Sequence, residues 1–124
     1  MPIIHGAAAP VFTAPSVRFT GLASPSRGSN ETCVWRLAVD PGCEPAEHSF
    51  DQEEVLIGTS GRAVASLGGV AHEIAAGDAV IVPARMAFSL ANPYSDVFEA
   101  VVALPVGALA RMADGETFVP PPAN

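Results

Sequence analysis

Side chains able to do chemistry concentrate in one stretch, Pro41–Glu54, where His48 is surrounded by Glu44, Glu47, Asp51, Glu53 and Glu54. Imidazole and carboxyl groups exchange protons near neutral pH and ligate divalent cations, so acid/base work or metal binding is the chemistry this stretch would support. In an extended segment alternate side chains share a face, which puts His48 and Phe50 together and turns Glu47, Ser49 and Asp51 away. Parity therefore argues against a displaced site built from Glu47, Asp51 and Glu53. The remaining histidines add little: His72, beside Glu73, reads as an exposed strand residue, and His5 lies in an N-terminal arm and carries no signal. The acidic cluster reads as a solvated face at the mouth of the site, discriminating against anionic ligands.

Other chemistries lack their residues. All six basic residues are arginine, so a phosphate-binding P-loop lysine and a Schiff-base amine are both missing. Gly58-Thr59-Ser60-Gly61-Arg62 resembles a nucleophile elbow only until Arg62 stands where its last glycine is needed, and it reads instead as a hairpin turn. Cys33 and Cys43 flank an expected strand too long for a disulfide to span, so both are expected as free thiols. No local base is placed to activate Cys43 as a nucleophile. A net charge of −7 repels phosphate backbones, and no basic, aromatic-interleaved patch appears, which excludes nucleic acid and anionic membrane as partners. The longest apolar stretch, Ala100–Ala110, is broken by Pro105 and Gly107 and falls short of the ~18 residues of a membrane span. Without a basic leader over Met1–Ser16, a cytoplasmic location is expected.

The elements that must position these residues are short. Glycines (11) and prolines (12) recur at intervals and cut the 124 residues into pieces of strand length, the punctuation of an all-β fold in one domain. Strands are expected at Val17–Leu22, Thr32–Val39, Glu54–Gly58, Arg62–Leu67, Val70–Ile74, Ala79–Val82, Ala87–Ala91 and Val97–Leu104. Gly68-Gly69 predicts a tight hairpin, and Asn92–Asp96 a longer connection between antiparallel neighbours. Gly107–Ala113, between Pro105 and Gly115, has helical spacing and is expected as a short C-terminal helical turn. The organisation is then an N-terminal arm at 1–16, a barrel at 17–104 and a tail at 105–124. Trp35 reads as core or dimer contact rather than a ligand platform.

Gly42, His48, Glu54 and Gly61 stand in the spacing Gly, five residues, His-x-His, three residues, Glu, six residues, Gly. Gly77, Pro83 and Asn92 match a second pattern: Gly, five residues, Pro-x-Gly, two residues, His, three residues, Asn. The two patterns resemble the paired motifs of the cupin superfamily, and the resemblance covers about half of the chain directly. It implies a double-stranded β-helix, the jelly-roll barrel, and in metal-holding members three imidazoles and a carboxylate pointing inward. Here Phe50 stands at the second His of the first motif, Phe88 at the His of the second, and Arg85 at its Gly.

The resemblance leaves His48 and Glu54 at metal-ligand positions, and two ligands are too few for a tight divalent site. The expected pocket is lined by His48, Phe50, Glu54, Leu56, Phe88 and Leu90 and holds no metal. Its expected occupant is a small, largely neutral organic molecule. The alternative is a cupin enzyme of oxygenase or isomerase type that holds iron, manganese, zinc or nickel through an unusual set including His48 and Glu54. A third possibility is metal-free acid/base catalysis by His48 and Glu54 facing each other and sharing a proton. The apolar arms would suit a homodimer, whose role would be interaction or regulation.

Overall fold

The structure is a computed structural model that describes residues 2–124; Met1, the first residue of the expected arm, lies outside the described residues. The strands are β1 (Val11–Ala14), β2 (Val17–Ala23), β3 (Thr32–Val39), β4 (His48–Phe50), β5 (Glu54–Ser60) and β6 (Arg62–Leu67), followed by β7 (Val70–Ala75), β8 (Ala79–Val82), β9 (Phe88–Ala91), β10 (Phe98–Pro105), β11 (Ala110–Met112) and β12 (Thr117–Phe118). They form two six-stranded antiparallel sheets, β1-β2-β3-β10-β5-β8 and β12-β11-β4-β9-β6-β7. This is the expected all-β jelly roll.

Alternation of side chains decides which face of each strand is buried. On β3, Cys33, Trp35, Leu37 and Val39 point inward, and on β10, Phe98, Ala100, Val102 and Leu104 do the same. β10 lies between β3 and β5, so Val102 pairs with Trp35 on one side and Leu56 on the other. The two inward faces meet as one apolar core.

The expected strands all form, with ends shifted by a residue or two, and β4 adds a three-residue strand inside the motif stretch. The hairpin at Gly68-Gly69 is present: Leu67 pairs with Val70, and both glycines have positive φ, at 56° and 84°. Three expectations are corrected. Gly58–Arg62 is no hairpin but a corner at Gly61 (φ 77°), because β5 and β6 belong to different sheets. Asn92–Asp96 likewise crosses from β9 in one sheet to β10 in the other, so those strands are not neighbours. Gly107–Ala113 forms β11 rather than a helical turn, since Ala110 and Met112 find the open edge of β4 opposite Phe50 and His48. Pro121–Ala123, just before the final residue, make the short C-terminal 3-10 turn instead. The arm and tail add strands at the sheet margins: β1 pairs with β2 at the edge of the first sheet, and β11 and β12 extend the edge of the second.

Asn92 explains why the motif ends in asparagine. It is fully buried, its Nδ2 donates to the carbonyls of Val39 (3.0 Å) and Asp96 (2.9 Å), and its Oδ1 accepts from the Tyr94 backbone N–H (3.0 Å). One amide side chain thereby ties the end of β3 to the crossing between sheets. Arg85 keeps a glycine-like conformation without being glycine, with φ 67°, and its N–H donates to the Phe50 carbonyl at 2.7 Å. That contact holds the turn leading into β9.

A Cβ at Gly61 would collide with the Val97 carbonyl and stand 3.1 Å from the Phe98 Cα, whereas one at Gly42 (φ 84°) would meet nothing within 4 Å. Gly61→Ala is therefore expected to destabilise by about 3 kcal/mol or more and Gly42→Ala by only about 1 kcal/mol, compared by urea-unfolding midpoints. Equal losses would remove the account of the corner. Arg85→Gly should raise the same midpoint, by up to about 1 kcal/mol, through relief of its left-handed backbone. A lower midpoint would show that the Arg85 side chain contributes more than its backbone costs.

Candidate functional site

β4 is held on both edges, by β9 through His48 opposite Phe88 and by β11 through Met112 opposite His48. With Phe50 two residues along the same strand, this register packs both phenyl rings against the imidazole. His48 and Phe50 lie 5.7 Å apart between centroids at 89°, and His48 and Phe88 5.5 Å apart at 70°. Both are edge-on contacts, with carbon filling two sides of the ring. His48 Nδ1 lies 3.0 Å from the Ala46 carbonyl oxygen, which can only accept, so Nδ1 donates and the neutral ring keeps its lone pair on Nε2.

Glu54 opens β5 opposite Val82 of β8, and its residue is only 4% exposed. Its Oε1 is buried with no hydrogen-bond partner among the described residues. Removal from water, with no cation beside it, disfavours the charged form and pushes the carboxyl up to about 7. The expectation that His48 and Glu54 share a proton is corrected: no hydrogen bond joins them. Their strands belong to opposite sheets, so the two groups reach the interior from different walls.

Between the sheets lies a cavity of about 720 Å³, within the range of small-molecule sites. All six residues expected around a pocket line it: His48, Phe50 and Glu54, together with Leu56, Phe88 and Leu90. Trp35, read from sequence as core or dimer contact, is buried and forms part of the same wall, beside Leu37 and Val39. Its inward parity on β3 was a legible signal, but inward positions of a sandwich ordinarily pack against each other rather than line a void. Phe12 and Phe19 near the N-terminus and Met112, Phe118 and Pro122 near the C-terminus also line the cavity. Nothing local marks them, because the contacts that seat them are long-range. Arg27 donates to the Pro122 carbonyl at 2.9 Å, and the Cys33 thiol to that of Ala123 at 3.4 Å. The end of the C-terminal tail thus packs on its own barrel.

Of the other acidic groups, Glu44 lines the same cavity but is exposed, Glu47 and Glu53 are exposed and do not line it, and Asp51 Oδ1 accepts from the Leu109 N–H at 2.8 Å. His72 is exposed on β7, and His5 precedes a short 3-10 turn. Both cysteines are free thiols. Cys43 lines the cavity, but burial first, and then the carboxylates of Asp40 and Glu44, push its thiol up and disfavour the nucleophilic thiolate.

Among the described residues, no three His, Cys, Asp or Glu side chains converge. The cavity lining carries the His48 imidazole, the buried Glu54 carboxyl, the exposed Glu44 carboxyl and the Cys43 thiol, no three of which converge, and carbon occupies the places beside the imidazole. That set does not fit a tight divalent ion, which takes three or four protein ligands. No helix is long and apolar enough among the described residues to cross a membrane.

Comparison with known proteins agrees with the architecture. The chain is similar to the polyketide cyclase RemF from Streptomyces resistomycificus, at 15% identity over 98% of this chain and 88% of that one, with a TM-score of 0.81. It is similar to an RmlC-like cupin from Shewanella frigidimarina NCIMB 400, at 16% identity over 83% and 88%, with a TM-score of 0.72. It also resembles salicylate 1,2-dioxygenase from Pseudoaminobacter salicylatoxidans, in a structure with gentisate, at 18% identity over 76% of this chain and 26% of that one, with a TM-score of 0.66. At such identities the likeness concerns the fold alone. No curated protein matches the sequence. The family model described as the cupin domain matches residues 35–104, from Trp35 on β3 to Leu104 on β10, and so includes both motifs and both walls of the cavity. With more than half of its length matched, the chain belongs to the cupin domain family.

Proposed function

We propose that the protein binds a small, largely neutral organic molecule in the cavity between its sheets, without a resident metal. The observation that carries this reading is the packing of Phe50 and Phe88 edge-on against His48, where the resemblance would place two further imidazoles. A phenyl ring has no lone pair for a cation but adds apolar surface for an organic ligand. The polyketide cyclase and the gentisate-bound dioxygenase show that organic compounds are handled by other proteins of this fold. A second reading, acid/base catalysis without metal, is favoured by Glu54 alone, whose carboxyl at about 7 would hold or release a proton near neutral pH.

Elemental analysis of protein purified without added metal tests the first reading, run beside a Phe50→His, Phe88→His double variant. The wild type is expected to carry well under one equivalent of iron, manganese, zinc or nickel, and the variant to approach one. Near-stoichiometric, tightly held metal in the wild type would overturn the proposal.

Burial of Glu54 also predicts a pH dependence. Its folded-state value of about 7 lies above its ordinary value of 4.5, so between these the folded protein keeps a proton that the unfolded chain has released. The stability from this group is present in full below the lower value, falls as pH rises through the window, and is lost above the upper one. Glu54→Gln removes the titration and should be more stable than wild type at pH 8 by on the order of 3 kcal/mol, a gap that closes toward pH 4.5. Denaturant unfolding at several pH values reads this directly, and a gap that does not change with pH would contradict it.

A further inference from the structure

We infer that the occupant of this cavity is an aromatic compound bearing a free hydroxyl group, seated with that hydroxyl against Glu54 and its ring among the aromatic walls. The inference rests on the small-molecule reading above and narrows it to one ligand class. It starts from the one buried side-chain polar atom of a cavity-lining residue that is left without a partner among the described residues, Glu54 Oε1.

A buried polar group without a hydrogen bond is costly, so a partner that completes it gains the interaction in full. A cationic ligand would have to lose its own hydration in a space whose one buried carboxyl is Glu54, with Glu44 exposed and the rest of the lining mostly carbon, and an anionic ligand would face both carboxyls. Both are disfavoured. A neutral group remains, and among neutral groups a hydroxyl both donates and accepts. It therefore pairs with Glu54 whether or not the carboxyl carries a proton, whereas an ether or a carbonyl only accepts. His48 lines the same cavity, with its Nδ1 engaged by the Ala46 carbonyl.

The ring is argued from the walls. Trp35 stands in the inward row next to that of Glu54, two strands away, with Val102 between it and Leu56. Phe50 and Phe88 face inward from the opposite sheet. Aromatic side chains on both sides of a space favour a flat aromatic occupant, which meets them in stacked or edge-on contact without losing torsional freedom of its own.

The test is calorimetric titration with 2-naphthol and with 2-methoxynaphthalene, two compounds with the same ring system, of which only the first has a free hydroxyl. Wild-type protein is expected to bind 2-naphthol about tenfold more tightly, the scale of one buried hydrogen bond. Glu54→Leu is expected to bind both with nearly equal affinity. The Glu54→Gln variant, which keeps polar atoms at that position, should retain part of the preference. Equal binding of the two compounds by wild type would overturn the hydroxyl inference and leave the small-molecule reading standing. Failure of both to bind wild type would remove both. A preference that survives in Glu54→Leu would overturn the role given to Glu54.

Discussion

Strand β10 must satisfy two partners at once, and the rest of the molecule depends on that register. Val102 stands opposite Trp35 on β3 and Leu56 on β5, so the inward rows of three strands are locked to one another. A slip of one residue on β5 would turn Leu56 outward and carry Glu54 away from the interior together with it. The corner at Gly61 and the amide of Asn92 protect the register from either end. One sends the chain from β5 into the other sheet within a single residue, and the other anchors the return into β10 to the end of β3.

With the rows fixed, the two sheets do not close on each other completely. Side chains from β3, β5 and β10 on one wall and β4, β9 and β11 on the other leave a cavity where a tighter sandwich would have packed carbon on carbon. Its polarity is confined to a few groups, and these are not equally satisfied. His48 spends one ring nitrogen on the Ala46 carbonyl and is buttressed by two phenyl rings, while the carboxyl of Glu54 is withdrawn from water with an oxygen unpaired. A leucine at that position would be more comfortable in the same surroundings. Retention of a carboxyl in a place that penalises its charge is the usual signature of a group kept for binding or chemistry rather than for stability.

Much of this was legible in the sequence where the signal is local. Period-two alternation identified β3, β6 and β8 with their correct ends, and the two glycines at 68 and 69 marked a hairpin that only positive φ permits. The spacing from Gly42 to Asn92 pointed to the cupin barrel, and the same parity placed His48, Phe50, Glu54, Leu56, Phe88 and Leu90 inward. Signals failed where they were short. β4 has three residues and β11 three, too few to establish a period, and the spacing over Gly107–Ala113 suited a helical turn as well as a strand. The segment became a strand because β4 presented an open edge, a fact no local window contains.

By itself, then, the sequence determined eight of the twelve strands among the described residues, the family, and which side chains of those strands face the interior, because these follow from backbone alternation and from turns that demand particular residues. Tertiary structure decided which strands share a sheet and that Gly61 and Asn92–Asp96 are crossings rather than hairpins. It also brought the two ends of the chain into the cavity wall, and left Glu54 alone while His48 found a carbonyl. Those outcomes depend on register between residues far apart in the chain and on how much water each group loses, and neither quantity exists until the sheets have met.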